Sequence, residues 1–231
     1  TIHMFDGSVY RCRMTLKELK KQLNEGFMEV KRGCMIAVSA ISNIGDKILL
    51  SNGEEICYTK RKKKALREEL QKKQELMIAK ISKKKLPLTP EEYGKYYKIC
   101  DSLPFAFTDI EMVFNEEKKA VDWIFRYGNE ALATLEKLPL DKMIGNSFSS
   151  LFSNMDAKWL HVYERATLYG ETLELMDYSP EIDTNLKIIC FPTFPGHCGC
   201  ILFNADQMKS ISEENHLVRL AAVALKSNPT I

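Results

Sequence analysis

The sequence lacks the features of a membrane or secreted protein. Its 231 residues contain no apolar run near the ~18 residues that span a bilayer, and no basic-then-apolar leader opens the chain. The seven cysteines are odd in number and include no CxxC pair, which fits reduced thiols in a cytosol better than a disulfide framework. We therefore expect a cytoplasmic protein without a membrane segment, with cysteines that fill its core.

Motifs of catalysis are also missing. The sequence has no GxSxG, no HExxH, no Walker loop, no kinase set and no dinucleotide glycine fingerprint. We expect that the protein is not an enzyme.

The charge is distributed unevenly along the chain. The net charge is only +2, but residues 1–100 hold 22 Lys and Arg against 12 Asp and Glu, whereas residues 101–231 hold 11 against 19. Because phosphate neutralisation by Lys and Arg supplies most non-specific DNA affinity, this asymmetry indicates that the front half meets a polyanion. A solvated basic helix is the alternative explanation.

The length and composition favour two small globular domains, and the order of predicted strands and helices favours the α+β class. The first part has strand-like segments at residues 8–14, 27–30, 35–38, 47–50 and 55–58, with one helix after the first of them that Thr15 and Glu18 begin as a capping box. From Lys62 strong helix formers follow, with an apolar residue near heptad positions at Leu66, Leu70, Met77 and Ile81. This segment is predicted to be a linker helix.

The second part is predicted to contain two strands, a group of helices and three further strands. Thr89, Pro90 and Glu92 begin a helix ahead of it. In its second strand, alternation predicts one shared face for an aromatic-rich set: Val121, Trp123, Phe125 and Tyr127. A closing helix carries an apolar stripe that calls for a partner: Leu217, Leu220, Ala221 and Ala224.

The front segment resembles the LytTR DNA-binding domain over about residues 3–70. The resemblance lies in TLKELKKQL (residues 15–23), FMEVKRGCMIAVSAI (27–41) and ILLSNGEEICYTKRKKKAL (48–66). These contain, in the family's order, an aromatic residue, a basic pair, an apolar run, an Asn-Gly hairpin and a Thr followed by basic residues. The resemblance implies a small, mainly β domain whose loops enter two successive major grooves of double-stranded DNA.

Two contact loops follow from the matching positions. Lys31 and Arg32 occupy the first loop, and Lys60 and Arg61 the second, ahead of Lys62 and Lys63. We expect Arg32 and Arg61 to reach bases, and Lys60, Lys62 and Lys63 to reach phosphates. The alternative is that these residues are only exposed charges at a helix start.

Three departures from the family pattern stand out. Ala37 replaces the usual Asn, and Gly33 replaces a frequent Ser, so one loop loses polar groups. The family's opening strand would lie before Thr1.

Residues 103–203 resemble a PAS domain in the order of elements and in local text. The matching segments are DWIFRYGNEALATLEKL (residues 122–138), MIGNSFSSLF (143–152), DAKWLHVYERA (156–166) and LELMDYSPEI (173–182). The resemblance implies a five-stranded antiparallel sheet of order 2-1-5-4-3 with flanking helices around a ligand pocket or a packed core.

The ligand and cofactor of this domain stay open. Candidates for a pocket lining are aromatic: Trp123, Phe125, Tyr127, Phe148, Phe152 and Trp159. A plain aromatic core explains the same pattern. The segment Gly145 to Phe148 lacks the reactive Cys of flavin-type PAS sensors, which argues against covalent flavin chemistry.

Haem and metal are disfavoured as well. The neighbours of His161 suit the inner face of its helix better than His161 itself, which argues against haem. His197, Cys198 and Cys200 on one strand place at most two ligands on a face, fewer than a closed zinc site needs. We expect no metal there.

The predicted organisation is therefore a LytTR-like domain at 1–66, a helical linker at 67–101, a PAS sensor domain at 102–205 and a C-terminal helix at 206–231. The predicted function is that of a bacterial-type transcription regulator. In this prediction, a homodimer senses a small-molecule effector or a partner and controls DNA binding. The alternative is a PAS-mediated interaction or signalling module, or a part of a larger signalling protein, whose front domain has degenerated.

Overall fold

The computed structural model describes residues 1–4, 8–23, 26–84, 88–153 and 156–205. Its contacts divide the chain into two units, Thr1–Met77 and Ile78–Ile231. Within the described ranges no helix is both long enough and apolar enough to cross a membrane. The predicted C-terminal helix at 206–231 lies outside the described residues.

Up to Ile56 the first unit is mainly β, as predicted. Its elements are β1 (Ile2–His3), β2 (Val9–Tyr10), α1 (Leu16–Gln22), β3 (Phe27–Lys31), β4 (Cys34–Ala37), β5 (Ile41–Ile44), β6 (Ile48–Leu50), β7 (Glu55–Ile56) and the start of α2 (Lys63–Lys84). The pairs β1-β2 and β3-β4 and the sheet β5-β6-β7 are all antiparallel.

Local signals explain much of this unit. The hydroxyl of Thr15 accepts from the backbone N–H of Glu18, whose carboxylate accepts in return, so α1 begins where the capping box predicts. The predicted strand at 8–14 shortens to β2. Strand β5 was not predicted, because a bulge in its pairing with β6 buries Ile41 and Ile44, three residues apart, and breaks the alternation.

The second unit contains a five-stranded sheet with helices. After α3 (Pro90–Tyr96) and a 3₁₀ turn (Lys98–Ser102) come β8 (Ala106–Phe114), β9 (Ala120–Gly128), α4 (Glu130–Glu136), α5 (Leu140–Met143), α6 (Phe148–Leu151), α7 (Ala157–Tyr169), β10 (Leu173–Ser179), β11 (Thr184–Pro192) and β12 (His197–Asn204). The antiparallel order is β10-β11-β12-β8-β9. Counted from β8 this is 2-1-5-4-3 read from the β9 edge, which confirms the PAS topology.

Both faces of this sheet are covered. The inner face packs against α4 to α7 around residues such as Ile110, Trp123 and Trp159. The outer face packs against α3 and the 3₁₀ turn, through Tyr93 and Tyr97. Because both faces are buried, β8 is buried from Ala106 to Met112 instead of alternating.

The prediction of one shared face on β9 is wrong. Asp109 pairs with Tyr127 while Ile110 pairs with Phe125, so Arg126 is an extra residue in a β-bulge. The bulge reverses the side-chain alternation. Trp123 and Phe125 therefore lie in the inner core, and Tyr127 lies in the outer one.

The prediction that the cysteines fill the core holds for four of them. Cys100, Cys190, Cys198 and Cys200 are buried. It is wrong for the exposed Cys12 and Cys57, which belong to the first unit. Cys34 is intermediate, and all seven are free thiols.

Candidate nucleic-acid interface and internal cavity

The first predicted contact loop is the tip of a β-hairpin. Lys31 pairs with Cys34, which leaves Arg32 and Gly33 as a two-residue turn. Gly33 has φ +80°, a conformation that favours glycine, so the departure from Ser at this position has a backbone reason. Lys31 and Arg32 are both exposed at this tip.

The second predicted contact loop leads into a helix. Lys60–Lys62 form a 3₁₀ turn, after which α2 starts at Lys63. A groove of about 400 Å³, open to solvent, runs along this segment. Its lining follows one helical face and carries five cations and one carboxylate: Lys60, Arg61, Lys63, Lys64, Arg67, Glu68 and Gln71. The net charge of this stripe is +4.

Some of these cations are anchored within the unit. Arg67 donates its Nε–H to the backbone carbonyl of Ile44 at 2.9 Å, and Lys63 lies 3.4 Å from Asp46. Leu66 is only 3% exposed, which seats the first turns of α2 in the core. The basic stripe is therefore held on a fixed helix start.

The electrostatics of this helix start are unfavourable in the isolated protein. A helix N-terminus carries a partial positive charge and is stabilised by carboxylates, yet the first turn of α2 contains no acidic residue and is preceded by Lys60, Arg61 and Lys62. Anions bind readily at such a terminus. The clustered cations make a strongly positive surface, and a bound polyanion would reduce the repulsion between them.

The second candidate site is a small internal cavity of the second unit, with about 20 Å³ of space for the centres of water-sized molecules. Four of the six aromatic residues predicted for a pocket line it: Trp123, Phe125, Phe148 and Trp159. Phe152 stacks on Phe148 with ring centroids 4.8 Å apart but does not line the cavity. Tyr127 lies on the other face of the sheet, because of the bulge at Arg126.

Sequence reasoning missed the polar part of this lining. Glu136, in the last turn of α4, and Glu181, in the turn between β10 and β11, both line the cavity, as does Tyr163. A signal for Glu136 was present, because it continues the helical stripe of Leu132 and Leu135. No local pattern marks Glu181.

The residues considered for haem or metal binding are separated by the fold. His197 lies on the outer face, where its Nδ1 is 2.6 Å from a carboxylate oxygen of Asp109 and its Nε2 is 3.3 Å from the Tyr93 hydroxyl. Cys198 and Cys200 lie on the inner face with their Sγ atoms 3.8 Å apart. His161 is half-buried on α7, and burial lowers its pKa.

Comparison with known proteins bears on both units. The model of the LytTr DNA-binding domain matches residues 1–71. No curated protein matches the chain.

Solved structures of LOV proteins are similar to part of the chain. A LOV protein of Rhodobacter sphaeroides is 14% identical, covers 61% of this chain and 84% of its own, and has a TM-score of 0.42. A variant of RsLOV is 12% identical, covers 59% of this chain and 80% of its own, and has a TM-score of 0.37. The chain thus combines a match to the LytTr DNA-binding domain model over residues 1–71 with a second unit that has the strand order of a PAS sheet.

Proposed function

We propose that this chain is a DNA-binding transcription regulator in which the PAS-type unit responds to a small molecule or a partner and controls the LytTR domain. The proposal rests on the row of basic side chains at the start of α2, because positive charges at a helix N-terminus do not stabilise the helix. Together with the match to a DNA-binding family, it supports contact with the phosphates of double-stranded DNA.

Residue roles follow from what holds each cation. Arg32 and Arg61 are exposed arginines at the two loop positions, suited to bidentate contact with guanine. Lys31, Lys60 and Lys62 suit phosphates. Lys63 was expected to do the same, and its ion pair with Asp46 must then be exchanged for a phosphate.

Control by the second unit would pass along α2. This helix begins in the first unit and its last residues belong to the second, so one continuous element joins them. A change in the sensing unit that favours one state of this helix would shift the equilibrium between DNA-binding states.

The direct test is a salt-dependent DNA titration of the full chain. The duplex is first enriched from a random pool, because the operator is unknown. We expect affinity to fall steeply with salt, with a log–log slope of about −0.9 for each phosphate neutralised. If no duplex bound even at low salt, the alternative of an interaction module would replace the regulator.

Two variants separate base contacts from phosphate contacts. Arg61→Ala should weaken the enriched duplex by about 1 to 3 kcal/mol and random duplexes much less. Lys60→Ala should weaken both alike and reduce the salt slope by about one unit. Lys142→Ala, an exposed lysine of α5, removes the same charge from the second unit and should leave both unchanged. If Arg61→Ala weakened binding to both duplexes equally, Arg61 would not read a base and the basic residues would act only through their charge.

The regulator is further proposed to be a homodimer, since a two-fold arrangement suits paired half-sites. Leu70, Met77 and Ile81 of α2 are half-buried, whereas Leu66 is already buried within the first unit. Light scattering in the micromolar range should give twice the monomer mass. A monomer mass throughout that range would contradict the dimer.

A further inference from the structure

The cavity of the PAS-type unit combines aromatic walls with two acidic side chains. Besides the rings described above, Glu136 and Glu181 contribute to its lining, and no Lys, Arg or His from the described ranges does. Both glutamates are half-buried, so each side chain reaches from the surface to the interior. The two carboxyl groups therefore belong to the polar part of a mainly apolar lining.

Three polar atoms at this cavity have no hydrogen-bond partner in the described part of the chain. They are Oε2 of Glu136, Oε2 of Glu181 and Nε1 of Trp159, a residue that is only 2% exposed. Buried polar atoms in folded proteins are nearly always paired, and an unpaired carboxylate is especially costly. Such a set is explained by a group that binds there.

The electrostatics select the sign of that group. Burial, with repulsion from Glu181, raises the pKa of Glu136 to about 8. No cation offsets either effect on this carboxyl. A positively charged ligand would supply the missing counter-charge and displace the proton.

The aromatic walls favour an organic cation. Trp123, Phe148 and Tyr163 all line the cavity. Aromatic faces attract ammonium groups, and the attraction strengthens where water is excluded. The carboxylates and the rings therefore act on the same kind of ligand.

We propose that this cavity, whose free space suits a group the size of a water molecule, binds the ammonium head of a small organic amine between Glu136 and Glu181 and beside the aromatic rings. The proposal rests on the proposed function, because it takes this unit as the sensing unit and names the chemical class of its effector. Trp159 Nε1–H is then available to an acceptor on the ligand or to a water molecule that accompanies it.

Intrinsic fluorescence is a selective probe of this binding. The chain has two tryptophans, and both Trp123 and Trp159 line the cavity. The full chain is titrated at neutral pH with n-butylammonium chloride, with n-butanol as the uncharged analogue and sodium chloride at matched ionic strength. We expect a saturable change in emission with the amine and none with the other two.

Charge-removing variants test the two carboxylates. Glu136→Gln combined with Glu181→Gln keeps the shape and removes the charge, so amine affinity should fall at least tenfold. Glu181→Gln alone, in a turn, should give an intermediate loss and guards against misfolding of the double variant. Glu130→Gln, at an exposed position of the same helix α4, is the matched control and should bind like the unmodified protein.

The outcomes that overturn the proposal are specific. An absence of any saturable change with the amine would refute it, as would equal binding of n-butanol or undiminished binding to the double Gln variant. The same samples are used in the salt-dependent DNA titration. DNA binding without amine binding refutes only the effector class, whereas amine binding without DNA binding refutes the proposed function.

Discussion

Two tyrosines of the second unit donate hydroxyl hydrogen bonds to aspartates at nearly equal distances but at very different depths. Tyr97 is fully buried and donates to Asp109 at 2.7 Å. Tyr178 is 45% exposed and donates to Asp183 at 2.6 Å. Removing each hydroxyl by substitution with Phe therefore compares the same chemical change in two environments.

The buried bond should matter far more. Asp109 is 0% exposed, and it also accepts from Thr193 and contacts His197, so its charge depends on a few fixed donors. A hydrogen bond to a charged group contributes about 1.5 to 3 kcal/mol, and water cannot replace a donor lost at this depth. Tyr97→Phe should lower the free energy of unfolding by that amount. At Tyr178 water can replace the hydroxyl, so Tyr178→Phe should leave stability unchanged.

Urea denaturation followed by tryptophan fluorescence measures the difference, because both tryptophans belong to the second unit. The m-value should stay constant while the midpoint of Tyr97→Phe falls. Equal midpoints for the two variants would refute the reasoning, since depth would then have no effect on the bond. A changed m-value would show that the variant altered the unfolded or native ensemble instead.

The remaining predictions concern Asn129 and Glu136. The Asn129 side chain accepts hydrogen bonds from the N–H groups of Phe107 and Leu132 and donates to the carbonyls of Cys100 and Phe105. Asn129→Ala should therefore lower the free energy of unfolding by roughly 2 to 5 kcal/mol in the same urea assay. A loss below 1 kcal/mol would contradict this prediction. Because the pKa of Glu136 rises from 4.5 to about 8 on folding, the folded state holds a proton that the unfolded chain releases, and stability should fall by up to about 1.4 kcal/mol per pH unit between these values. Urea midpoints across this range should show the decline, and Glu136→Gln should abolish it; the same decline in both proteins would assign it to other groups.

Local interactions made much of the secondary structure predictable from the sequence. The capping boxes at Thr15 and Thr89 act within three residues, and each begins a helix where expected. The sequence also predicted the order of strands and helices in the second half, and the resemblance to a PAS domain predicted the order of strands in the sheet. The LytTR match likewise follows from motifs in chain order, and the basic residues could be named from them.

Only the tertiary structure decided which side chains meet. The local sequence at Arg126 does not predict a bulge, because the bulge arises from the pairing of β8 with β9. The bulge places Tyr127 on the other face of the sheet. Asp109 and His197, 88 residues apart, are joined because β8 and β12 are neighbours in the sheet. Glu136 and Glu181 share a cavity for the same kind of reason. One lies on a helix and the other in a turn far along the chain, and local sequence patterns do not reveal that the fold brings these two segments together.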